Sequence, residues 1–227
     1  MIADCEKGMV IPMYPLIRNH NGDEESIQQR QAGALEYLVF PKLEETGVVR
    51  HLFTTRTGGA SKGVCATMNL SFSRGDDPEA VMENYRRIGE VLGVAPDHMA
   101  ASRQTHTTNI HLVTETDLGN GITRPSAYEE IDGLATDQPG IALVTYYADC
   151  VPLYFVDPVH QAIGLAHSGW RGTVSRMGEH MVQFMQEQFQ SRPEDLVAAI
   201  GPSICVDFYE VSEEVAEQFR GDFRKMS

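Results

Sequence analysis

Two apolar runs joined at Asp157-Pro158 constrain this chain more than any other feature. The stretch from Val144 to Thr173 reads VTYYADCVPLYFVDPVHQAIGLAHSGWRGT. Val151–Val156 and Ala162–Ala166 are short, apolar and bounded by Pro and Gly, a pattern of buried strands rather than helices. A tight turn between them predicts an antiparallel pair. Cys150 then stands at the entry of the first strand and His167 at the exit of the second, and antiparallel pairing makes those ends neighbours. Directly after His167 comes Ser168-Gly169-Trp170-Arg171-Gly172-Thr173, which carries the only Trp of the chain. An Arg between glycines ahead of a helix start forms a loop where backbone N–H groups and a guanidinium can hold an anion.

The rest of the chain supplies helices and further strands. Asp77-Pro78 is a helix start, with Asp77 as N-cap and Pro78 at the first helical position. The helix Pro78–Leu92 places Val81, Tyr85, Ile88 and Leu92 on one face, and Gly93 ends it. A second helix is predicted from Thr173 to Phe189, with Met177, Met181, Phe184 and Met185 on its apolar side. A third covers Val211–Phe219. Strands are expected at Tyr37–Phe40, Val48–Thr55, Asn109–Val113, Ile141–Tyr147 and Leu196–Ile200, with a short extended segment at Met68–Phe72. A polar connection is expected from Val113 through Ile131 to Asp137. Residues 1–35 read as an N-terminal extension, with a poorly specified or surface-helical stretch from Arg18 to Gln31. Residues 36–227 read as one domain. Interleaved strands and helices with hairpins among them give a mixed α/β (α+β) class.

Charge narrows the function. The net charge of −14 opposes sequence-independent binding to nucleic acid and attraction to anionic membrane. An anionic substrate must therefore be captured locally. No apolar run approaches the ~20 residues of a membrane span, and no basic and apolar leader opens the chain. Cys5, Cys65, Cys150 and Cys205 form no CxxC pair. The expectation is a reducing, cytoplasmic setting with free thiols.

Three side chains carry candidate metal chemistry. His106, Cys150 and His167 each lie beside a predicted strand, and two imidazoles with one thiolate suit zinc with a fourth position open. Spacing alone is a weak signal, because a lone His beside a strand is more often a satisfied polar residue than a ligand. Arg56 beside Gly58-Gly59 and Arg171 between Gly169 and Gly172 are the candidate anion binders. The chain has no P-loop, no GxSxG and no HExxH.

ADCVPLYFVDP followed by IGLAHSGWRGT resembles the core signature of the YfiH/YlmD family, also called the multicopper polyphenol oxidase or laccase-domain family. FTTRTGGASKG, MNLSFSRGDDPEAVMENYRRI, RQTHTTNI, DGLAT and GPSICVDFYEV follow in the family's order, from Leu52 to Val211. The resemblance implies a layered fold with mixed sheets, related to putative cysteine hydrolases, and a zinc site on His106, Cys150 and His167. It implies phosphorolysis of adenosine, inosine and methylthioadenosine, together with adenosine deamination. Thr107 stands where the family has Gly, Cys65 replaces an aromatic residue, and Asp207-Phe208 replaces a Cys pair. The family's usual C-terminal segment is expected to be missing.

On this reading zinc serves deamination by activating water, and phosphorolysis needs phosphate held below C1′ of the ribose. Arg56, Asn69 and Arg171 are the expected substrate and phosphate binders. Cys150, Asp149 and Arg171 are the expected catalytic residues, with Asp149 orienting a ligand or handling a proton. The expected partners are a purine nucleoside and phosphate, with no nucleic acid and no membrane. A homodimer is admitted. Copper at the same site is the first alternative, although a four-copper oxidase needs about ten histidines partly in HxH pairs. The chain has eight and no such pair. A cysteine hydrolase with Cys150 as nucleophile and His106 or His167 as base is the second. A binding or peptidoglycan-editing role is the third.

Overall fold

A computed structural model describes residues 26–223. Ten strands and five helices follow one another: β1 (Gln28–Ala32), β2 (Leu35–Val39), α1 (Pro41–Glu44), β3 (Phe53–Thr54), α2 (Pro78–Leu92), β4 (Met99–Ala101), β5 (Ile110–Leu112), β6 (Gly133–Thr136), β7 (Ala142–Val144), β8 (Val151–Asp157), β9 (Ala162–Ser168), α3 (Trp170–Val174), α4 (Met177–Phe189), β10 (Val197–Ile200) and α5 (Glu213–Phe223). The described residues form a mixed α/β fold with three sheets, ordered β1-β2-β3, β10-β8-β9-β6-β5 and β4-β7.

The central hairpin forms as the apolar runs require. β8 and β9 pair antiparallel from Asp157↔Ala162 to Val151↔Ser168. The turn is held by Asp157, whose Oδ1 accepts the backbone N–H groups of Val159 and His160 at 2.9 and 3.0 Å. Helix α4 covers this sheet with Met177, Met181 and Met185, all fully buried. Two glycines make that approach feasible. A Cβ on Gly133 of β6 would lie 2.8 Å from Met177 Cε, and one on Gly164 of β9 would lie 2.8 Å from Met181 Sδ. Each buried methionine contributes about 1.5–3 kcal/mol through lost apolar surface. A second core joins α2 to β4 through Val81, Tyr85, Met99 and Ala101.

Helix α2 has the expected ends. Asp77 accepts from the Glu79 N–H at 3.0 Å, and Gly93 takes a left-handed φ of 76°. Other expectations are corrected. The N-terminal stretch read as extension or surface helix contains β1, which pairs with β2 from Gln28↔Val39 to Ala32↔Leu35. Residues 1–25 of that stretch lie outside the described residues. The strand expected over Val48–Thr55 shrinks to Phe53–Thr54 of β3. The segment Met68–Phe72 forms no strand, because Asn69 Oδ1 accepts the Ser71 N–H at 3.1 Å and Ser71 Oγ accepts the Ser73 N–H at 3.3 Å. Side chains that bond nearby backbone in this way replace a ladder with turns. The helix expected from Thr173 is two helices, broken where Arg176 adopts φ 60°. The supposed polar connection before Asp137 contains β6, whose four residues are all buried.

Candidate metal centre

Three chain segments deliver the candidate ligands. Cys150 ends the approach to β8, one residue before Val151. His167 lies inside β9, opposite Pro152, so the ladder holds these two segments side by side. His106 arrives on the loop between β4 and β5 with a left-handed φ of 68°. That conformation costs a non-glycine residue of order 1–3 kcal/mol and persists only where surroundings impose it.

Asp132 imposes it. Its buried carboxylate accepts the backbone N–H groups of Thr105, His106 and Thr107, each at 3.0 Å, and the Thr107 hydroxyl at 3.0 Å. The same carboxylate meets His167 Nδ1 at 2.8 Å. Burial pushes the Asp132 carboxyl up, but the His167 contact and the Thr105 and Thr107 donors outweigh it and hold the pKa at about 2. An ionised Asp132 keeps the His167 proton on Nδ1 and leaves Nε2 free as a donor atom toward a metal. Sequence reading gave Asp132 no role. Its signal was an acidic residue directly ahead of a short apolar run, Gly133-Leu134-Ala135.

The outcome is a convergent donor set. One ligand atom from each of His106, Cys150 and His167 lies within 4.8 Å of the others. Donor atoms around a tetrahedral ion with bonds near 2.0–2.3 Å stand about 3–4 Å apart. Among the described residues this is the one cluster of three or more His, Cys, Asp or Glu side chains placed to hold an ion. Gly169 packs against it: a Cβ there would lie 2.9 Å from His106 Cδ2 and 3.0 Å from Cys150 Sγ. Burial raises the Cys150 thiol, and Asp149 and Asp132 raise it further. That is the reverse of an activated nucleophile. Soft sulfur, two imidazoles and a tautomer-fixing carboxylate fit zinc, and the same set accepts copper.

A cavity of about 540 Å³ opens beside His106, lined by Trp170, Arg171, Val174 and Ser175 on one side and by Glu214, Val215 and Gln218 of α5 on the other. The Arg171 guanidinium stacks over Trp170, 4.2 Å from the ring centroid. Arg56 and Asn69 do not line this cavity. Both line a separate cleft of about 3200 Å³ that shares no lining residue with the cavity at His106. The glycines beside Arg56 answer to packing: a Cβ on Gly58 would lie 2.2 Å from the Ala34 carbonyl oxygen, and one on Gly59 1.9 Å from that of Thr67. Asn69 Nδ2 donates to the Ser71 carbonyl at 3.1 Å and to Asp76 at 2.9 Å. Asp149 is exposed, and its carbonyl accepts the Ile204 N–H at 3.0 Å.

Residues 50–227 match the sequence profile of the multi-copper polyphenol oxidoreductase laccase family. The chain belongs to this family. Among curated relatives, the purine nucleoside phosphorylase YlmD of Geobacillus stearothermophilus is 40% identical over 168 residues, covering 74% of this chain and 61% of the relative. A purine nucleoside phosphorylase of Deinococcus radiodurans is 43% identical over 172 residues, covering 76% and 63%. The chain thus spans less than two thirds of the length of these relatives. The adenosine deaminase RL5, from an unknown prokaryotic organism, is 35% identical over 187 residues, covering 82% and 70%. The crystal structure of Geobacillus stearothermophilus YlmD superposes with a TM-score of 0.79 at 36% identity, over 87% of this chain and 72% of that one. The mixed α/β class and mixed sheets expected from the sequence are those of the structure. Among the described residues, no helix is long and apolar enough to cross a membrane.

Proposed function

We propose that this chain is a metal-dependent purine nucleoside enzyme, with phosphorolysis as the main reaction and adenosine deamination as a second. The observation that carries the reading is the convergence of His106, Cys150 and His167 at the edge of a cavity lined by Trp170 and Arg171. Relatives named purine nucleoside phosphorylase and adenosine deaminase support it.

Phosphorolysis breaks the bond between C1′ and the base nitrogen and joins a phosphate oxygen to C1′; the phosphate's proton goes to the base, giving free base and ribose 1-phosphate, or 5-methylthioribose 1-phosphate from methylthioadenosine. The substrates are adenosine, inosine and methylthioadenosine, together with phosphate. His106, Cys150 and His167 would hold zinc, which would supply Lewis acidity and activate water. Asp132 orients His167 and the His106 loop. Arg171 binds phosphate, because a guanidinium stacked on an aromatic ring keeps its in-plane N–H donors available. Asp149, exposed beside Cys150, handles protons. Trp170 offers the purine an aromatic face. Arg56 and Asn69, in the other cleft, take no part in this phosphate site.

The test compares the purified protein with Cys150→Ala, using adenosine and inosine with and without phosphate. Release of free base that depends on phosphate, together with near-stoichiometric zinc, is the expected result. Loss of both zinc and turnover in Cys150→Ala is expected alongside. A variant that keeps its zinc and its full adenosine turnover would make Cys150 a bystander and sink the reading.

A further inference from the structure

Three ligands define a triangle, and two of its sides have visible braces. Asp132 ties the His106 loop to His167. The β8–β9 ladder ties the Cys150 segment to His167. The third side, between His106 and Cys150, joins the segment after β4 to the segment after β7.

Those two strands run parallel and pair from Met99↔Ala142 to Ala101↔Val144. The pairing continues past the strands in another form. The Ser102 N–H donates to the Val144 carbonyl at 3.0 Å. Beyond it, the Gln104 side chain takes the place of a strand backbone. The Tyr146 N–H donates to Gln104 Oε1 at 2.7 Å, and Gln104 Nε2 donates to the Tyr146 carbonyl at 2.7 Å. The Ser102 hydroxyl donates to the same Oε1 at 2.9 Å. Tyr146 is itself anchored, since its hydroxyl meets that of Tyr85 at 2.7 Å. Gln104 is two residues from His106, and Tyr146 is four from Cys150.

We propose that Gln104 is a positioning residue of the metal centre, whose amide sets the spacing between His106 and Cys150. The inference rests on the metal reading above. A primary amide is required, because the clamp needs one acceptor and one donor on adjacent atoms. A carboxylate has no donor and would set an oxygen against the Tyr146 carbonyl. A thioether has neither partner at useful strength.

The experiment uses Gln104→Glu and Gln104→Met, with Ser102→Ala as a control that removes one bond to Oε1 but leaves the clamp. Zinc affinity is measured by competition with a chromophoric chelator, and the cobalt-loaded proteins are compared by visible absorption. Both Gln104 variants should bind zinc about 10- to 100-fold more weakly, the usual range for a residue that orients a ligand. At saturating cobalt, their thiolate-to-metal band should shift or weaken, while Ser102→Ala stays like the parent. A residue that merely supports the fold would lower the melting temperature and leave the saturated cobalt spectrum unchanged. Affinity within about twofold of the parent and an unchanged spectrum in both variants would overturn the proposal, since an orienting residue moves affinity by tenfold or more. If Gln104→Glu does not fold, the affinity and spectrum of Gln104→Met decide between these outcomes. A parent protein that takes up neither zinc nor cobalt overturns the metal reading itself, and this inference with it.

Discussion

Asp132 Oδ1 lies 2.8 Å from His167 Nδ1 and also accepts the backbone N–H of His106 at 3.0 Å, so one buried carboxylate holds two of the three candidate ligands. Asp132→Asn exchanges one of its two acceptor oxygens for an NH2 group facing donors. At least one backbone N–H of the His106 turn loses its partner inside the protein. The expected loss is about 3 kcal/mol of stability, from unsatisfied buried donors, and a roughly 10- to 100-fold loss of zinc affinity. Urea unfolding of the metal-free protein and chelator competition measure the two separately. Unchanged values in both would show that the turn holds itself.

Gly169 tests the centre from the opposite side. In Gly169→Ala the new methyl meets His106 Cδ2 at 2.9 Å and Cys150 Sγ at 3.0 Å. Its backbone φ of −73° suits any residue, so the conflict is with the ligands and not with the chain. Zinc affinity should fall about tenfold or more, as when a ligand's orienting contacts are lost, while the melting temperature of the metal-free protein moves by a few degrees at most. A fall in melting temperature without a change in affinity would assign Gly169 to packing alone.

Arg171 separates the two proposed reactions. Arg171→Ala should weaken phosphorolysis by about 1.5–3 kcal/mol, the worth of a hydrogen bond to a charged group, or roughly ten- to a hundredfold in kcat/KM. Deamination, which uses no phosphate, should suffer less. Rates of both reactions at several phosphate concentrations decide this. Equal losses independent of phosphate would assign Arg171 to the Trp170 stack or to the purine.

His51 predicts a response to acid away from the centre. Its Nε2 accepts the Phe40 N–H at 2.8 Å, and burial lowers its pKa from 6.5 to about 4. Below pH 6.5 the unfolded chain binds a proton that the folded protein refuses, so stability falls as pH drops from about 6.5 to about 4 and levels off below. Above pH 6.5 both states are neutral and the residue contributes no slope. After a discount for its partial exposure the effect is about 2 kcal/mol. His51→Gln keeps an acceptor without titrating, and urea midpoints across this range should flatten accordingly. An identical pH profile would exonerate His51.

The sequence disclosed what local rules write. Asp77-Pro78 and Gly93 bounded α2, and the Asp157-Pro158 turn set β8 against β9, because capping and hairpin chemistry act within a few residues. Convergence of His106, Cys150 and His167 was legible because one ladder carries two of them. Asp132 was hardly legible: its partners at 105–107 and 167 lie far along the chain, and its one local mark, an acidic residue ahead of a short apolar run, does not point to a hub of five bonds. The glycines beside Arg56 resemble an anion loop in the sequence, and in the structure they also permit the close approach of Ala34 and Thr67. The strand expected at Val48–Thr55 shows the limit of β-propensity, since only Phe53 and Thr54 find a partner strand.

Strand β6 pairs parallel with β5 and antiparallel with β9, and Asp132 stands just ahead of that change of direction. The centre therefore sits where sequence-distant parts of one sheet must all have arrived, not on any single hairpin. An intermediate that has only the β8–β9 hairpin holds Cys150 and His167 but not His106 in place. A donor set of all three residues therefore requires the β5–β6 part of the sheet to have joined the β8–β9 hairpin.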